Sequence, residues 1–333
     1  MPAAWTAILL ALALSFLTAC AARPAATPDA VFPFMGALRR ADTGNEAFPL
    51  AADIRLRAVA AFPGGVWAWS HGDATLRLYD ASGDERRAWP LDAAAVWLSP
   101  SLALSRSELF QAGGGFTYTL HSLDSVSGPR LAATWTLDSF PSDVAFTRDG
   151  VLLAGADIRD SLLTLRYMSA QAEPVVVAEL PKRDDFLRVI AGPSGLLLFG
   201  SARERAAREL ELHVVAWDGA GQPPERAFRT LALDGLPDGA LCWYGSGFFF
   251  GGRYWLPLAM ANGDTVLAGI SVDGDRAFVD GLAAGTGGVY APLGPAADGS
   301  SFRYLAYDHE REPGVYRLAE FDGLSVSLSE PLR

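Results

Sequence analysis

Five aspartates, Asp53, Asp92, Asp143, Asp185 and Asp238, recur at intervals of roughly 40 to 50 residues, each close to the start of an apolar run. Carboxylates bind hard cations through oxygen and steer cationic ligands. A fold that gathered these five around one opening would therefore build a site for calcium or for a positively charged group. Asp is also a turn residue that bonds its own backbone, so five separate turns are the competing account. A second set is basic. Arg203, Arg205 and Arg208 lie in the polar tract Ser201 to Glu209, and Arg311 lies in Asp308 to Gly314. Guanidinium groups recognise carboxylate and phosphate by paired, coplanar hydrogen bonds, which would suit an anionic or peptide partner. Solvated surface charge is the plain alternative.

The remaining reactive side chains do not form a catalytic motif. His71, His121, His213 and His309 are too far apart for a local metal signature. His213 sits inside the apolar run Leu210 to Trp217 and reads as a packed residue. Cys242 stands in Ala240-Leu241-Cys242-Trp243-Tyr244 and reads as a small hydrophobe, not a nucleophile. Gly113-Gly114-Gly115 precedes a strand-like run and not a helix, and no phosphate loop, dinucleotide fingerprint or nucleophile elbow is present. No catalytic residue is assigned and no cofactor is required, calcium being the one ion that the aspartates suggest.

Both sets are dispersed along the chain, so the framework decides whether they meet. Two turn signals alternate. One is a turn followed by an apolar burst, at Pro63 to Trp67, Arg106 to Phe110, Arg148 to Leu152, Pro193 to Leu197, Gly245 to Phe249 and Ala297 to Phe302. The other is an apolar strand ending in a polar turn, at Leu78 to Gly83, Leu123 to Gly128, Tyr167 to Ala170, Ala216 to Gly219, Ser271 to Gly274 and Glu320 to Gly323. Asp-Gly, Gly-Gly and Ser-Gly supply the positive φ of tight hairpins, and Val, Leu, Phe, Tyr and Trp flank them. The second signal repeats about every 48 residues, the length of a four-stranded propeller blade. Helical periodicity is nearly confined to Ala202 to Glu211, which reads as an elongated hairpin or loop helix. The expected fold is all-β, a β-propeller of six four-stranded blades over residues 58–333. Asp42-Thr43-Gly44-Asn45 adds one more strand-turn-strand signal, so an N-terminal hairpin before the ring, or a seventh, incomplete blade, is expected within 20–57.

The stretch Pro141 to Ala154 carries a Pro, an apolar strand, the turn Asp149-Gly150 and a second apolar strand. It resembles the repeat of six-bladed propellers of the NHL and TolB-like type. Asp80 to Trp89 resembles, less closely, the quinoprotein-type repeat of an eight-bladed outer-membrane assembly lipoprotein family. Such propellers bind ligands at the face made by the loops entering each innermost strand and by the second-to-third-strand loops. The resemblance therefore implies that the five aspartates and the four arginines share one rim. It also implies a comparison with calcium-dependent lactonases, whose Glu and Asn ligands have no counterpart identifiable in this sequence.

Composition narrows the class. Half of the 333 residues are hydrophobic, which excludes intrinsic disorder. A net charge of -11 and a pI near 4.8 speak against tracking a nucleic-acid backbone. Ile8 to Leu17 is an apolar run of signal-peptide length, too short to span a bilayer, and it leads into Leu17-Thr18-Ala19-Cys20. That tetrad resembles the bacterial lipobox, which implies removal of residues 1–19 and lipidation of Cys20, palmitate included. Ala21 in place of an Asp favours the outer membrane over the inner. The expected protein is a lipid-anchored propeller at the cell envelope that binds a protein, peptide or glycan. A lipid-anchored hydrolase or lactonase-like enzyme using the carboxylate ring is the alternative.

Overall fold

A computed structural model describes residues 31–34, 37–40, 46–48, 56–62, 64–80, 83–107, 115–157, 162–181, 186–192, 195–201, 211–217, 228–242, 247–285, 288–296, 298–307 and 315–332. Among the described residues every regular element is a strand, and no helix is long and apolar enough to cross a membrane. β1 (Val31–Phe34), β2 (Ala37–Arg40) and β3 (Glu46–Phe48) form a three-stranded antiparallel sheet. The next sheet is β4 (Leu56–Phe62), β5 (Gly65–Ser70), β6 (Thr75–Asp80) and β7 (Glu85–Pro90), with β1 lying beside β4. β8 (Ala95–Leu98), β9 (Leu102–Arg106), β10 (Phe116–Asp124) and β11 (Gly128–Leu137) form another four-stranded sheet. So do β12 (Ser139–Phe146), β13 (Gly150–Asp157), β14 (Leu162–Ser169) and β15 (Ala172–Pro181).

The chain then departs from the simple repeat. β16 (Phe186–Gly192), β17 (Gly195–Ser201), β18 (Leu212–Val215) and β19 (Phe228–Asp234) form a meander. A second meander follows: β20 (Leu241–Cys242) and β21 (Phe248–Phe250) both pair with β22 (Arg253–Ala259), which leads to β23 (Thr265–Asp273) and β24 (Arg276–Ala284). β19 and β24 pair in parallel, Ala232 opposite Arg276 and Asp234 opposite Phe278, so the two meanders make one nine-stranded sheet. The last sheet is β25 (Gly288–Pro295), β26 (Phe302–Tyr307), β27 (Tyr316–Phe321) and β28 (Val326–Leu328).

The architecture is thus all-β and propeller-like, with four separate four-stranded sheets where the sequence period leads one to expect six blades, or seven. The fusion has a local cause. Arg276 pairs with Asp234, and Arg229 donates to Asp275 Oδ1 at 2.8 Å and to Gly274 O at 2.9 Å. These exposed pairs orient the two outer strands more than they stabilise them. Leu231, Ile270 and Ala277, packed with Leu256 and Leu258 beneath, supply the burial that holds the seam.

Successive sheets pack face to face, and this explains why strands such as β5 are buried along their whole length. Trp67 and Trp69 meet Val96 and Ala103 between the β4–β7 and β8–β11 sheets. Leu104, Tyr118 and Leu120 meet Val151 and Met168 at the next junction. Leu152 and Leu165 then meet Val189 and Leu198, and Trp255 and Phe248 meet Tyr304 and Phe321. First strands neighbour one another, β4 beside β8, β12 beside β16 and β16 beside β21, whereas outer strands such as β7 are exposed. Glu85, Arg86 and Arg87 put charge on that edge, which discourages pairing with another chain.

Candidate functional site

In each meander the first strand runs away from one end of the molecule and the second returns to it. The second-to-third connections and the links between sheets therefore share that end, termed here the loop face. The tight first-to-second and third-to-fourth turns share the other, the turn face.

On the turn face three aspartates bond their own backbone. Asp124 Oδ1 accepts the backbone N–H groups of Val126 at 3.0 Å and Ser127 at 2.7 Å. Asp322 Oδ1 accepts those of Leu324 at 2.8 Å and Ser325 at 2.7 Å, and Asp298 Oδ1 that of Ser300 at 3.0 Å. These backbone donors hold all three carboxyls below the usual carboxylate range. They are the self-bonding turn aspartates that the repeat needs.

On the loop face the predicted aspartates part company. Asp92 lies exposed on the link between β7 and β8, and Asp238 lies exposed in the turn with Gly239. Asp143, in β12, is enclosed by protein on most sides while retaining some contact with solvent. Its Oδ1 accepts the N–H of Val144 at 3.0 Å and its Oδ2 accepts that of Val189, on β16, at 3.1 Å. Beside it Ser142 Oγ donates to Leu187 O at 2.8 Å, and Arg188 Nη1 donates to Ser142 O at 2.7 Å. Burial pushes the Asp143 carboxyl up, against the lowering pull of Val189 N–H and the Arg188 charge. Asp143 therefore works as a strut between two first strands, which replace the ladder bonds that these neighbours do not make. Asp53, Asp185, Arg203, Arg205, Arg208, Arg311, Cys20 and His309 lie outside the described residues. Among the described residues no three His, Cys, Asp or Glu side chains converge as a metal ion requires.

The other histidines are placed singly. His213 is buried with Nδ1 3.0 Å from Thr230 Oγ1, the packed role that its apolar strand suggested. His121 lies half-buried near Ser105, and burial lowers its pKa. His71 is exposed, its ring 5.6 Å from that of Trp69. Cys242 pairs through its backbone with Leu258.

Sequence reasoning missed the most developed constellation on the loop face, at the junction of the β8–β11 and β12–β15 sheets. Arg106 ends β9, Phe116 opens β10 and Phe140 is the second residue of β12. The Arg106 guanidinium carbon sits 4.5 Å from the Phe116 ring centroid and 5.0 Å from that of Phe140. Both rings present π faces to the cation, and they meet each other edge to face at 6.1 Å. Behind them Tyr118 donates its hydroxyl to Ser139 O at 2.7 Å, and burial pushes that phenol well up. The charges of Arg106 and Arg166 both bear on it. Arg166 is neutralised locally: Nη2 lies 3.4 Å from Asp157 and 3.7 Å from Asp138. A second aromatic group occupies the last sheet, where the rings of Tyr307 and Tyr316 stack at 4.7 Å and Tyr290, 59% exposed, stands edge-on to Tyr316 at 5.1 Å.

No family model matches the chain, and no curated protein matches it. Solved structures match it in fold. A candidate 6-phosphogluconolactonase from Bacteroides fragilis shares 12% identity at a TM-score of 0.54, over 91% of this chain and 95% of that one. Its counterpart from Bacteroides uniformis shares 12% at 0.53, over 89% and 92%. Kluyveromyces lactis Hsv2 shares 8% at 0.50, over 88% and 91%. At such identities the likeness concerns architecture alone, and it places this chain among β-propeller-like proteins.

Proposed function

We propose that the protein is a lipid-anchored propeller of the cell envelope, held through Cys20, that binds a protein, peptide or glycan on its loop face. In this reading the nine-stranded sheet counts as two blades fused at their outer strands, which gives six, and residues 31–48 stand before the ring. The observation that carries the proposal is the contrast between the two ends. On the turn face Asp124, Asp298 and Asp322 are taken up by their own backbone, whereas the loop face presents Phe140 (49% exposed) beside Arg106, and Tyr290 exposed on the last sheet. Aromatic and arginine side chains are the types that anchor protein interfaces. The lipobox-like Leu17 to Cys20 with Ala21 behind it supports attachment at the outer membrane over the inner.

Photo-crosslinking in intact cells tests the choice of face. A crosslinker at His71 or Asn262, both exposed on the loop face, should capture one partner reproducibly, and one at Leu324 or Val126 on the turn face should not. Capture only from the turn face would overturn the reading. A lactonase-like hydrolase with calcium on the aspartates is the second reading, favoured by the fold likeness to the two Bacteroides proteins. A calcium-dependent rise in melting temperature, reversed by chelator, would support it.

A further inference from the structure

The arginines of the described loop face differ in what answers their charge. Arg166 has Asp157 and Asp138, and Arg188 donates to the Ser142 carbonyl. Arg106 has no ion pair among the described residues, and its Nε is enclosed without a hydrogen-bond acceptor. An arginine does not relieve such a situation by losing its proton. The two phenyl rings compensate only in part, because their π faces attract the cation at 4.5 and 5.0 Å but offer no lone pair to its N–H donors. The sequence thus places a permanent cation in a half-buried aromatic seat, and among the described residues its guanidinium makes no hydrogen bond or ion pair.

We propose that Arg106 is the anion-recognising group of this face and takes a carboxylate or phosphate oxyanion carried on an apolar body. The coplanar Nη1 and Nη2 donors of the fork fit the paired oxygens of either group. The exposed Phe140 ring forms an apolar wall beside the cation, so an anion joined to an apolar group is preferred over a bare inorganic one. Tyr118, its hydroxyl committed to Ser139 O, sets the spacing between the β10 end of the seat and β12. The inference rests on the loop face being the working face and adds the chemical class of what it recognises.

The test is calorimetric titration of the full-length chain with N-acetyl-phenylalanine, its amide, phenyl phosphate and inorganic phosphate. The acid or the phenyl ester should bind saturably, and about tenfold or more tightly than the amide, a comparison that needs no variant. Preference for the acid points to a peptide C-terminus and preference for the ester to a phosphate monoester; either order supports the proposal. Arg106→Gln should lose that binding by at least about tenfold, and Arg106→Lys, which keeps the charge without the planar fork, should retain part of it. Equal binding of acid and amide, no binding of either anionic aromatic probe, or undiminished binding to a folded Arg106→Gln protein would each overturn it. Crosslinks that persist from the loop face while the titrations fail would sink the anion seat alone. Turn-face capture with normal titrations would sink the choice of face alone.

Discussion

Trp255 offers a quantitative check on how the nine-stranded sheet meets the last one. Its indole is 2% exposed, meets the Phe321 ring edge to face at 4.5 Å, and donates from Nε1 to Phe250 O at 3.0 Å. Beneath it Gly269 and Gly281 are directly paired across β23 and β24. A Cβ on Gly269 would stand 2.8 Å from Cη2 and 2.9 Å from Cζ3 of the indole, closer than packed carbons approach. The ring, pinned from two sides, would have to move. Overpacking of this kind costs about 1–3 kcal/mol, and removing a strand glycine returns about 0.5–1 kcal/mol. Gly269→Ala should therefore lose a net of about 1–2 kcal/mol. Trp255→Leu removes both clashing carbons and by itself should cost about 2–4 kcal/mol through the space it vacates. In that background Gly269→Ala should be neutral or slightly stabilising, which makes the coupling about 2 kcal/mol. Urea unfolding of the four proteins measures it directly. A coupling below about 0.5 kcal/mol would refute the claim that the glycine pair exists to seat the indole.

Other expected outcomes concern the strut, the turn and the anchor. The folded chain holds a proton on Asp143 more tightly than the unfolded chain, whose value is near 3.8, so this residue makes stability fall as pH rises above that point. The stability difference between wild type and Asp143→Asn should shift in favour of Asn over that window and then level off; a difference independent of pH would count against it. Gly128 has φ +82°, and a Cβ there would lie 2.3 Å from the Trp89 ring, so Gly128→Ala should cost about 2–4 kcal/mol in thermal or urea unfolding. Cys20→Ala should move the protein from the detergent phase to the aqueous phase on phase partitioning, and a variant that still partitions with detergent would place the anchor elsewhere.

What the sequence made legible was whatever is encoded locally. Asp80, Asp124 and Asp322 mark third-to-fourth-strand turns because their own carboxylates build those turns. The hairpins at Pro63 to Trp67, Arg148 to Leu152 and Pro193 to Leu197 likewise fall between first and second strands. Two signals of the same kind fall elsewhere in the strand order. Arg106 to Phe110 begins at the end of a second strand, and the first-to-second turn of that sheet is Ser99 to Ser101, where Ser99 Oγ accepts the N–H of Leu102 at 2.9 Å. Gly245 to Gly247 leads into β21, and the hairpin comes later, at Gly251-Gly252. In both cases the same residue types, small and polar, serve a connection of different rank, and only strand pairing tells them apart.

The site was less legible because its parts are joined by pairing between distant strands. Asp143 reads as one of five equivalent carboxylates until Val189 N–H, 46 residues away, is seen to claim its Oδ2. Arg106 reads as a turn residue until β9 and β10 bring it next to Phe116 and the following sheet brings Phe140. The same holds for the fused sheet, where Arg276 meets Asp234 only because β24 lies parallel to β19. A periodic sequence specifies the unit, and each unit carries its own turn chemistry. The departures from periodicity arise between units, where one sheet supplies a group that its neighbour completes. That is where a ligand-recognising feature belongs on such a scaffold, since residues within a unit are already committed to holding it together, and Arg106, seated at a junction with no ion pair among the described residues, meets that description.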